Sequence, residues 1–236
     1  MIYKKYSYIG IISFFIYLLP LTLLTGPFLP DLIVTFTSIS FIYYSLKFQE
    51  QKYFKNYFFY FLIIMWVVFI SASFVSDNIL ISLKSSLTYL RHIIFIFLVY
   101  FILDKNKNFL NKFNFYLIIL LTVVVIDAIT QKLLGFNLLG FKSPHELKIT
   151  SFLGDEPILG TFFLRFCSIL FLIALILNKN INILLGLFYI IAIPIIFYSG
   201  QRTIFYLSLI FIPFFLIFIP HNKYNILSLL LLFGFL

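Results

Sequence analysis

Apolar residues along this chain neither alternate nor keep to one helical face. They fill unbroken runs of roughly 18 to 22 residues separated by short polar stretches, each run long enough to cross about 30 Å of hydrocarbon as a helix. Runs that are apolar on every face suit helices that meet lipid or pack inside a membrane bundle, and a helix there satisfies its own backbone. The pattern predicts an all-α fold, a polytopic transmembrane helical bundle with about eight complete spans and a truncated ninth. The spans are placed at about 7–25, from the turn GPFLPD (26–31) to about 46, and at about 57–75, 83–103, 113–134, 157–177, 181–198 and 204–219. The ten-residue alternating segments of a membrane β-barrel are absent. The ninth run begins near Tyr224 and stops at Leu236 after about a dozen residues, too few to span. The expectation is a single transmembrane domain over 1–236 that forms the N-terminal part of a longer protein.

Charge then sets an orientation. Lys4 and Lys5 precede the first run, so the N-terminus is expected in the cytoplasm under the positive-inside rule. Alternating sides from there puts Lys4, Lys5, Lys47, Lys52, Lys55, Lys105, Lys107, Lys112, Lys179 and Lys223 on the cytoplasmic side. The composition agrees with a membrane location: 63% hydrophobic residues, 11% charged and a mean hydropathy of +1.11. A net charge of +9 would suit a nucleic-acid partner if it were gathered on one face, but these lysines are scattered through short loops. No nucleic acid is expected. Cys167 is the single cysteine and lies in an apolar run, which leaves no disulfide framework or cysteine metal site. His92, His145 and His221 lack metal-ligand spacing, and no P-loop, dinucleotide fingerprint or nucleophile elbow is present, so no metal and no cofactor is expected.

Charges kept near hydrocarbon are functional candidates, because each one costs free energy. Arg91, Arg165 and Arg202 all fall on the outer half, and no arginine falls on the cytoplasmic side. The guanidinium binds phosphate or carboxylate through a planar fork and stays charged, which suits an anionic ligand. At about 1.5 Å per residue Arg91 and Asp127 lie about 10 Å, and Arg165 roughly 12 Å, below the outer ends of their spans. That spacing predicts one polar layer, with Asp127 as a structural partner of the arginines and surplus positive charge for an anionic head group. The segment SFLGDEPILGTFFLR (151–165) adds Asp155 and Glu156. They read either as catalytic or orienting carboxylates or, for Asp155, as the N-cap of the following helix ahead of Pro157. In SGQRT (199–203), Gly200 is expected to end one helix, and Gln201 and Arg202 to open the next as an anion site.

Four stretches, SLTYLRHIIFIFLVYFIL (86–103), IDAITQKLLGFNLLG (126–140), SFLGDEPILGTFF (151–163) and SGQRTIFYL (199–207), together resemble the bacterial O-antigen ligase and O-antigen polymerase superfamily of integral membrane glycosyltransferases. The resemblance covers about 82–209. It implies transfer of a glycan from an undecaprenyl-diphosphate carrier at the periplasmic face of the inner membrane, without metal or nucleotide sugar. The acceptor would be another lipid-linked repeat unit or lipid A core, in surface polysaccharide or lipopolysaccharide biosynthesis. Arg202 matches the arginine of the family's Ser-Gly-x-Arg motif, while Arg91 and Arg165 fall where outer-half arginines would grip the diphosphate and Gln201 sits beside them. In ligases of this type a large periplasmic loop further along carries a histidine and another arginine. This sequence stops before such a loop, so the stretch is expected to hold part of the donor site and to be inactive alone. The rival reading is a secondary transporter or lipid-linked glycan flippase for an anionic substrate, which would favour broken helices and charges midway through the bilayer.

Overall fold

The computed structural model describes residues 2–143, 148–154, 156–177 and 183–218. Among these the protein is all-helical, 81% helix with no strand. Asp155, His145, Lys179, His221 and Lys223 lie outside the described residues. Five helices are long and apolar enough to cross a membrane: Ser7–Thr25, Phe28–Lys47, Ile79–Lys105, Phe109–Leu134 and Leu159–Ile176. The chain is a multi-pass membrane protein by this measure. It forms two compact units, Met1–Phe109 and Leu110–Leu236.

The first unit holds α1 (Ile2–Thr22), α2 (Phe28–Lys47), α3 (Tyr57–Ser73), α4 (Ile79–Thr88) and α5 (Leu90–Lys105). Gly26 turns the chain between α1 and α2 at φ 106°, a backbone conformation that L side chains rarely adopt. Asn56 starts α3 by accepting a 2.7 Å bond from the Phe59 amide, the usual service of an asparagine N-cap. The core lies where α2 packs against α5, with Phe41, Phe97 and Phe101 fully buried. Phe101 meets Phe41, Tyr44 and Tyr53 at ring separations of 5.3, 5.4 and 5.2 Å, within the range of favourable aromatic pairs. The sequence reads 83–103 as one span, and Ile79–Lys105 is one membrane-length helix in which the hydrogen-bond ladder breaks locally at Tyr89, whose backbone stays helical. The Trp66 indole accounts for part of the break, because it donates 2.8 Å to the Ser86 carbonyl. That oxygen would otherwise serve its own helix, and a group inserted into the ladder is a recognised cause of a kink. At the lysine-rich end Tyr53 donates to Asp104 at 2.5 Å and Lys105 lies 3.6 Å from Glu50, fastening the α2–α3 connection to the end of α5. Burial, and then the bond to the Asp104 carboxylate, push the Tyr53 phenol well above its ordinary range.

The second unit takes in nearly all of α6 (Phe109–Leu134), then a long connection, α7 (Leu159–Ile176), α8 (Ile183–Tyr198) and α9 (Arg202–Phe218). α7 packs on α8 and α9, and Leu159, Phe163 and Leu170 on it are fully buried. Pro194 sits inside α8 without ending it.

Candidate functional site

The site is built from the end of α6, the connection that follows and the α8–α9 turn. Asp127 is fully buried in α6. One carboxylate oxygen accepts 2.7 Å from the Leu138 amide and the other accepts 2.5 Å from the Ser151 hydroxyl. The expected pairing of Asp127 with Arg91 or Arg165 is therefore not what the structure shows. Its carboxylate anchors the connection, and charge-assisted bonds to a backbone amide and a hydroxyl meet its needs without a cation. One turn on, Gln131 accepts from the Thr150 and Ser151 amides at 2.9 and 2.7 Å, and Asn137 donates 3.1 Å to the Ser151 carbonyl. Three buried polar side chains thus converge on Ser151, which they hold at φ 54°. That conformation is rare for a residue with a side chain.

From Ser151 the backbone runs back to α8, where the Ile149 amide donates 3.0 Å to the Tyr198 carbonyl. This bond lays Lys148 across the α8–α9 turn. Gly200, at φ 76°, ends the α8 segment as expected, and a side chain there would meet the Lys148 methylenes at 2.9 Å. A left-handed glycine just past the last turn is a common way to stop a helix. Arg202 opens α9 as expected.

Lys132, Lys148 and Arg202 consequently line a single cavity of about 580 Å³, walled by the rings of Phe197, Tyr198, Phe205 and Tyr206. The Lys132 ammonium lies 4.0 Å from the centre of the Tyr198 ring, a cation–π contact that orients it. No carboxylate among the described residues lines this space. Three like charges around one cavity repel one another until an anion enters. A second crevice of about 350 Å³ shares Lys132 and Tyr198 and is otherwise apolar, lined by Ile129, Leu133, Ile191, Pro194 and Ile195. The arrangement suits an anionic head with an apolar tail.

The remaining expected site residues fall elsewhere. Gln201 Oε1 accepts from the Thr161 amide at 2.7 Å and from its hydroxyl at 3.2 Å, so its side chain caps α7. The sequence offers that role to Asp155, but α7 begins only at Leu159. Gly160 permits the contact: a Cβ there would sit 2.7 Å from both Gln201 Oε1 and Ser199 Oγ. Glu156 is exposed. Arg165 is exposed on α7, with no hydrogen bond or ion pair among the described residues, and does not line the cavity. Arg91 belongs to the first unit, where its guanidinium bonds Asp31 at 2.6 Å and Thr35 at 3.1 Å. Lys132 and Lys148 are not among the residues expected from the sequence. Comparison with known proteins adds no name to this geometry: no family model, no curated protein and no solved structure matches the chain.

Proposed function

We propose that this chain is part of an inner-membrane glycosyltransferase of the O-antigen polymerase or ligase type, working on an undecaprenyl-diphosphate-linked glycan. The observation that carries the reading is the cavity of Lys132, Lys148 and Arg202 beside an apolar crevice. A diphosphate takes bidentate and point-charge contacts from such a set, and a polyprenyl chain takes the crevice. Arg202 is both the residue of the resemblance motif and a wall of the cavity. Asp155 or Glu156 orients donor or acceptor, while Arg165 lies outside the cavity and takes no part in it. The acceptor is another lipid-linked repeat unit or lipid A core. In this reading Tyr57–Ser73, Ile183–Tyr198 and Arg202–Phe218 cross the membrane alongside the five longer helices, giving eight spans, with the N-terminus in the cytoplasm.

Binding of a polyprenyl diphosphate to the protein in detergent tests the reading. Lys148→Ala and Arg202→Ala are each expected to weaken it about tenfold or more, the usual worth of a charge-assisted bond. Unchanged affinity in both variants would remove the proposal.

A further inference from the structure

The first unit holds a crevice of its own, about 490 Å³, between α2, α3 and α5. Its mouth carries Lys55 and Gln51; beyond them Phe59, Ile63 and Trp66 follow one another at helical spacing along α3, with Ile94 facing from α5. From Phe59 to Trp66 the apolar wall runs about 10 Å along the helix axis. Nothing charged among the described residues lines it past the mouth.

Two observations point to an amphipathic occupant. The Lys55 ammonium has no hydrogen bond or ion pair among the described residues, unlike Lys52 and Lys105 nearby, which lie 3.7 Å from Asp104 and 3.6 Å from Glu50 respectively. Ser45 lines the crevice, is 1% exposed, and its hydroxyl has no partner among the described residues. A buried hydroxyl left unpaired is destabilising, and an ester or phosphate oxygen in the crevice would satisfy it.

We propose that this crevice is a binding site for an anionic bilayer phospholipid. The phosphate lies against Lys55, Ser45 donates to an oxygen of the glycerol ester region, and one acyl chain runs past Phe59 and Ile63 to Trp66. The site uses only the first unit and is independent of the transferase reading.

Trp66 is the chain's single tryptophan, so its fluorescence reports on the occupant without interference from other indoles. The full chain is reconstituted in phosphatidylcholine vesicles, and chain-brominated phosphatidylglycerol or chain-brominated phosphatidylcholine replaces unbrominated lipid stepwise. Brominated phosphatidylglycerol is expected to half-quench Trp66 at a mole fraction about fivefold lower, the factor that one lysine contributes toward an anionic lipid. Lys55→Gln should bring the two curves together, and Lys55→Arg should keep them apart. Coincident curves in the unaltered chain, or a preference that survives Lys55→Gln, overturn the proposal. Failure of both lipids to quench also overturns it, because protein and not lipid would then cover the crevice.

Discussion

Ser151 shows how much a single residue is asked to do. Its left-handed backbone costs about 1–2 kcal/mol relative to an ordinary conformation, and the bonds from Asp127, Gln131 and Asn137 hold it there. Ser151→Gly loses the hydroxyl but sheds the strain, whereas Ser151→Ala loses the hydroxyl and keeps it. The alanine variant is therefore expected to unfold in detergent at a lower temperature than the glycine variant, with a gap of about 1 kcal/mol. Equal melting would mean that the backbone conformation carries no strain. None of this is legible from the sequence, where Ser151 is an ordinary loop serine. The cavity shows the same limit. Arg202 stands out because an arginine after Ser-Gly-Gln is conspicuous, while Lys132 and Lys148 belong to a residue type that otherwise reads as a marker of topology. A clue does exist, since both are lysines outside the cytoplasmic set. Placing them together requires knowing that the Ile149 amide returns to Tyr198.

At the scale of elements, α7 meets the α8–α9 turn with no room for a side chain at Gly160. Gly160→Ala pushes a methyl group to 2.7 Å from two oxygens. Overpacking of this kind costs about 1–3 kcal/mol. Gln201→Ala removes the α7 cap and is expected to cost about 1 kcal/mol. Because the added methyl clashes with the glutamine oxygen itself, the double variant should melt higher than the sum of the single losses predicts. Strict additivity in thermal unfolding would argue that the two do not share this contact. The long apolar helices are legible because unbroken hydrophobicity admits few alternatives in a membrane. The interruption at Tyr89 is not, because no proline or glycine marks it. Its partner, Trp66, comes from another helix. The start of α7 is displaced as well: Asp155 and Pro157 look like an N-terminal signature, but the helix waits until Leu159, where a side chain from 40 residues downstream supplies the cap.

For the whole molecule, the positive-inside count makes a directional expectation. In intact cells a membrane-impermeant maleimide should label cysteines introduced at Ser76 and Leu139, and reach those at Gln49 and Lys107 only after permeabilisation. The native Cys167, 6% exposed within α7, should stay silent. The reverse pattern would invert the orientation and move the Lys132, Lys148 and Arg202 cavity to the cytoplasmic face. Asp127 also bears on how such a chain is made. Its carboxylate is satisfied by Leu138 and Ser151, 11 and 24 residues further along. When α6 enters the translocon both groups are still enclosed in the ribosomal exit tunnel, so the helix arrives carrying a buried-type carboxyl group whose protein ligands cannot yet reach it. Settling of α6 in the bilayer is thereby tied to the arrival of the next segment, which gives biogenesis of the second unit an obligatory order.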